Sequence, residues 1–163
     1  MFRKKDAPRA PFSLQVLTTD YLIEGTVDGD TDLYFPEAET QDPIFLTSVH
    51  IQTLRAGDRP PHWAARFALW GSSAVVLIPE GDVVQKIVDE LWDMYDTPRP
   101  GLFYVGPYLM QGRLMLLSRE YMEETLPMFD VTITCELPGV EWAGVNAPFG
   151  LVNTRWLHGY EPA

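Results

Sequence analysis

The sequence predicts a mainly β protein: two tandem, small β-barrel-like units of about five strands each, joined by one amphipathic helix. Three observations carry this expectation. Short segments rich in β-branched and aromatic residues run through both halves, separated by Gly, Pro and Asp clusters that mark turns. A residue pattern also occurs twice. Tyr21-Leu22-Ile23-Glu24-Gly25 matches Tyr108-Leu109-Met110-Gln111-Gly112, and Val49-His50-Ile51 matches Val131-Thr132-Ile133. Trp63-Ala64, Ala68 and Trp70-Gly71 match Trp142-Ala143, Ala147 and Phe149-Gly150. The offsets of 87, 82 and 79 residues shrink as expected if the second copy had lost loop residues, where deletions are tolerated. Finally, the clear helical spacing of apolar residues lies between the two copies.

Taken in order, residues 1–12 read as a basic, solvated arm that carries Arg3, Lys4, Lys5 and Arg9, broken by Pro8 and Pro11. The first β unit is residues 13–80. Leu14–Thr18 and Tyr21–Val27 alternate, and Asp28-Gly29-Asp30 supplies a turn after them. Ile44–Leu54 is a longer strand, expected to place Phe45, Thr47, Val49 and Ile51 on one face until Pro60-Pro61 ends it. Trp63–Trp70 follows, then Ala74–Ile78, whose unalternated run predicts a strand buried on both faces. The connecting helix is residues 81–97. Asp82 can cap it, Gln85 stands in capping-box position, and Val84, Ile87, Val88, Leu91 and Tyr95 form a stripe to be buried across the two units. The second unit, residues 98–163, restarts at Leu102–Val105 and continues through Tyr108–Leu117, a helical turn at 119–126 and a long strand at Met128–Leu137. A last strand at Leu151–Leu157 carries Asn153, Thr154 and Arg155, which predicts one exposed face.

The order Thr19, Tyr21, Ile23, Gly25, then Phe45, Val49, then Phe67-Ala68-Leu69-Trp70 before Val75–Pro79, resembles the small bacterial β domains of unknown function that are similar to Sm-like barrels. The resemblance covers both copies. It implies the barrel and a tendency to assemble edge to edge, and carries no catalytic residues.

Charge narrows the partners. The net charge is −11, and because the arm holds four basic residues against Asp6 alone, the rest of the chain carries 8 basic and 22 acidic groups. Such a field repels phosphate backbones, so nucleic-acid binding by the body is not expected. A single cysteine, Cys135, rules out an intrachain disulfide and reads as a small core residue. No apolar run reaches the ~20 residues a spanning helix needs. The charged N-terminus lacks the apolar core of a signal peptide, and a cytoplasmic location is expected.

Candidate chemistry is sparse. Asp28, Asp30, Asp32 and Glu39 echo a calcium loop, but Leu33 stands where its glycine belongs, so an acidic hairpin turn is expected. His50, His62 and His158 have no metal-ligand spacing, and Glu120, Glu123 and Glu124 read as a solvated face. Trp63 and Trp142 are expected to fill the two cores, with Trp70 and Phe149 as a second equivalent pair. Trp92 and Trp156, which this repeat does not explain, are the candidate interface residues. The expectation is therefore a non-enzymatic interaction module or structural subunit, without cofactor or metal, bound to a protein partner or to itself. The alternative is a small-ligand or metal-responsive sensor that uses a groove between the copies.

Overall fold

The computed structural model describes residues 10–31, 33, 43–55, 57, 59–92, 97–115 and 125–163, except the side chains of 90–92. The strands are β1 (Phe12–Thr18), β2 (Tyr21–Val27), β3 (Ile44–Thr53), β4 (His62–Leu69), β5 (Ala74–Pro79), β6 (Arg99–Val105), β7 (Tyr108–Leu114), β8 (Thr125–Cys135), β9 (Val145–Asn153) and β10 (Leu157–Pro162). The helix α1 (Val83–Trp92) lies between β5 and β6. Local chemistry shapes the first hairpin: the Thr18 hydroxyl accepts from the backbone N–H of Asp20 at 3.2 Å and of Tyr21 at 2.9 Å, which turns the chain.

The strands form a single antiparallel sheet in the order β10-β6-β7-β8-β9-β5-β1-β2-β3-β4. This corrects the expectation of two closed units. The sheet is continuous across the halves and its order is open, because hydrogen bonding is carried through the middle by β5 and β9 rather than returned within each half. Within that sheet the halves nevertheless run alike. In each, the fifth strand pairs the first and the first pairs the second, followed by the third and fourth.

The irregularities recur as well. β2 and β3 slip register beside Gly25, opposite Ser48 at φ 52°, and β7 and β8 slip beside Gly112, opposite Asp130 at φ 52°. A glycine is needed at each place. A Cβ at Gly25 would come within 3.0 Å of Leu46, and one at Gly112 within 2.8 Å of the Phe129 carbonyl. β1 and β5 slip past Val75, and β6 and β10 slip past His158. A 3₁₀ turn, Gly71–Ser73 or Thr154–Trp156, joins the fourth strand to the fifth in both halves.

The β3 bulge overturns the face assignment of the long strand. Leu46 and Val49 are both buried, because the extra residue at Ser48 resets the alternation and sends Phe45 outward. The strand pairing also replaces the tryptophan match. Ala64 stands opposite Val49 and Ala147 opposite Val131, so the structural counterpart of Ala64 is Ala147 and that of Trp63 is Asn146. Trp142 lies outside the strands and packs edge-on against Tyr108, their centroids 5.9 Å apart, whereas Trp63 is 71% exposed. The two tryptophans are not equivalent.

The apolar side chains form two clusters, one on each side of the central strands. One gathers Phe103, Val105, Tyr108, Met110, Met128 and Ile133 with Leu17, Leu22 and Val75 of the first half. The other gathers Leu14, Val16, Ile23, Leu46 and Val49 with Phe149 and Leu151 of β9. β5 gives Val76 to the first and Leu77 to the second, so every one of its residues is buried, as its unalternated sequence predicts. The α1 stripe of Val83, Val84, Ile87 and Val88 packs on the second cluster.

The Leu151–Leu157 segment is not one strand. Asn153 ends β9, is buried, and donates from Nδ2 to the Ala74 carbonyl at 2.9 Å while accepting from the Arg155 N–H at 3.1 Å. Of the three polar residues expected to form an exposed face, Arg155 is exposed and Thr154 partly so, but Asn153 is buried because its side chain is spent closing the junction between the halves. The helical turn expected at 119–126 lies outside the described residues apart from Thr125 and Leu126, which open β8.

Candidate functional site

Among the described residues, β4 and β10 each pair on one side only, so the sheet presents two unpaired edges. Alternation decides what flanks them. On β3 and β4, Ile44 and Leu69 face each other inward, which turns Phe45 and Ala68 to the opposite surface. Among the described residues four large apolar side chains are exposed: Phe45 at 67%, Trp63 at 71%, Trp70 at 54% and Tyr104 at 41%. Three lie on or beside the β4 edge. Trp63 rests over His50 with ring centroids 4.5 Å apart, and His50 Nδ1 stands 3.9 Å from Glu24 Oε2. Tyr104 stands near the other edge and donates to Glu161 of β10, a bond that pushes its hydroxyl pKa upward.

Behind the β4 edge lies a groove of about 580 Å³, lined by Tyr21, Ile23, Ile51, Thr53, Arg59, Pro60, His62 and Phe67. Its surface is mostly apolar, with Thr53, Arg59 and His62 adding polar groups, and the Tyr21 hydroxyl makes no hydrogen bond among the described residues. The matching surface of the second half behaves differently. There Tyr108, the counterpart of Tyr21, is buried and donates to the Thr18 carbonyl of the first half. Burial pushes its hydroxyl far above the ordinary phenol range, with Cys135 and Asp20 adding to the shift.

The sequence-derived candidates fall elsewhere. Trp156 is half-buried, packs on the core of the second half and accepts from the Gly106 N–H at 2.7 Å through its carbonyl. Trp92 ends α1, and its side chain lies outside the described residues. Trp156 does not belong to the exposed aromatic group. The sequence reading placed Trp63 and Trp70 in the cores, where the structure exposes both, and it did not single out Phe45 or Tyr104; the signal for Phe45 was hidden by the bulge.

His62 and His158 lie on the two outermost strands of the sheet, far apart in strand order. No three His, Cys, Asp or Glu side chains converge among the described residues. Asp28 forms a turn, its Oδ1 accepting from the Asp30 N–H at 3.3 Å and its carbonyl from the Thr31 N–H at 3.0 Å. Asp32, Glu39, Glu120, Glu123, Glu124 and the basic residues of the arm lie outside the described residues. Cys135 is half-buried against the core. No described helix is long and apolar enough to cross a membrane. Comparison with protein-family models, curated proteins and solved structures returns no match for this chain.

Proposed function

We propose that this chain is a non-enzymatic structural subunit, built from two copies of one five-strand unit, that works by binding protein through its open sheet edges. The observation that carries this reading is the β4 edge, where unpaired backbone groups run beside exposed Phe45, Trp63 and Trp70. An unprotected apolar edge is a template for strand pairing, and natural proteins cover or charge such edges unless they use them. Large aromatic side chains are the usual anchors of protein interfaces. The acidic body directs this reading to a protein surface rather than to nucleic acid.

The test is sedimentation velocity of the purified chain and of a Phe45→Ser, Trp70→Ser variant, with cross-linking in extracts of the native cell as a second arm. The reading expects an association, with itself or with a defined partner, that the double substitution removes. Association states that are identical for both proteins in both arms would overturn it.

A second reading rests on the apolar groove at Tyr21, Ile23, Ile51 and Phe67, which is large enough to take a small apolar ligand. That groove lies within the first half, not between the halves as a sensor was expected to place it. A ligand that raises the melting temperature of the chain, and loses that effect in Ile51→Asp, would favour this reading.

A further inference from the structure

We infer that the partner of the β4 edge is β10 of a second copy of this chain, joined head to tail in the register already used inside the molecule. This rests on the reading of the chain as an assembly subunit. Because the halves share strand order, bulges and 3₁₀ turns, the paired strand residues of the first half have structural counterparts in the second. The internal junction joins the fifth strand of one half, β5, to the fourth strand of the other, β9. The two unpaired edges are the fourth strand of the first half and the fifth strand of the second. They are the same pair of surfaces, left over once.

The register transfers directly. Within the chain Leu77 opposes Leu151 and Val76 opposes Val152. Their counterparts are Tyr160 with Ala68 and Gly159 with Leu69, so these residues oppose each other between copies.

Burial agrees with this assignment. Phe45, Trp70 and Tyr104 are exposed, yet their counterparts Pro127, Asn153 and Leu17 are all buried by the internal junction. The groove gains an occupant on the same logic. Leu17 and Leu22 of the first half lie in the cluster that covers Tyr108 and Met110, so Tyr104 and Leu109 of a neighbouring copy cover Tyr21 and Ile23. The Tyr21 hydroxyl, which has no hydrogen bond among the described residues, then donates to the neighbour's Val105 carbonyl, as Tyr108 donates to Thr18. An interface of two different surfaces repeats, closing into a ring or continuing as a filament.

Two substitutions block one edge each. Gly159→Glu adds a charge where a Cβ has room, its nearest neighbour being Tyr104 at 3.8 Å, and where the counterpart Val76 is buried. Ala68→Glu does the same on β4. Thermal melting of each variant checks that the fold is intact. In sedimentation, wild type is expected to form species larger than the 18.5 kDa chain, and each variant alone to stay monomeric. An equimolar mixture is expected to give a dimer and nothing larger, because one intact β10 meets one intact β4. Tyr21→Phe is expected to weaken wild-type association roughly fivefold with melting unchanged. A monomeric wild type overturns the head-to-tail pairing while the broader protein-binding reading still stands or falls on its own double variant. Assembly lost in Ala68→Glu but kept in Gly159→Glu, with no rescue on mixing, overturns it in favour of β4 pairing with itself.

Discussion

Asn153 shows how much one polar side chain can hold. It sits at zero exposure where β9 meets β5, and its amide satisfies the Ala74 carbonyl while its oxygen caps the following 3₁₀ turn at Arg155. Replacing it by Ala removes the donor to the buried Ala74 carbonyl and the acceptor that caps the 3₁₀ turn. The expected cost is about 1–3 kcal/mol in urea unfolding, against a change near zero for Asn146→Ala on the exposed part of the same strand. Tyr108 makes the second polar link between the halves. Because burial raises its pKa above 10.0, the folded chain holds this proton more tightly than the unfolded chain does. Its contribution is therefore complete below pH 10 and is lost as pH rises beyond it. Tyr108→Phe is expected to lower stability at neutral pH by about 1 kcal/mol, and to flatten the decline seen in melts above pH 10.

At the scale of the element, β6 and β10 offer a matched pair of glycines. A Cβ at Gly101 would approach the Glu161 carbonyl to 2.5 Å and Tyr160 to 2.3 Å, while one at Gly159 meets nothing closer than 3.8 Å. Gly101→Ala is expected to lower the melting temperature by several degrees and Gly159→Ala to leave it unchanged. The helix α1 tests a different kind of contact. Its stripe reaches a core that includes Phe149 and Leu151 of the other half, so Ile87→Ala is expected to cost about 1–2 kcal/mol by chemical denaturation. This stripe was legible in the sequence, since Val84, Ile87 and Val88 keep helical spacing. The positions of β1 to β8 were legible too, because β-branched runs and Gly or Pro breaks are local signals, whereas β9 and β10 were not, since the segment read as one strand at Leu151–Leu157 holds the 3₁₀ turn between them. The faces of β3 were not. Its bulge at Ser48 is a pairing event between two strands, and no periodicity count along one strand contains it.

Across the whole molecule, charge sets the conditions under which copies can meet. Each chain carries −11, so two copies repel until salt screens them. Association is expected to strengthen as ionic strength rises from about 0.05 to 0.5 M, a range over which the Debye length falls from roughly 14 to 4 Å. Deleting residues 1–9 removes Arg3, Lys4, Lys5 and Arg9 with Asp6, taking the chain to −14. That truncation is expected to weaken association at low salt and to leave it unchanged at high salt, as sedimentation of both proteins would read.

The amino-acid sequence by itself determined the β class, the segments of β1 to β8, the both-faces burial of Ala74–Ile78, the helix stripe and the acidic body, because each is written in neighbouring residues or in plain composition. Only the tertiary structure decided that the ten strands form one open sheet, that Asn153 is buried, and that Trp63 and Trp142 are unrelated. It also decided which aromatic side chains remain outside. The physical reason is that strand order and register are set by hydrogen bonds between residues far apart in the chain, and burial follows from those pairings. A one-residue slip at Ser48 or Asp130 exchanges the faces of everything beyond it.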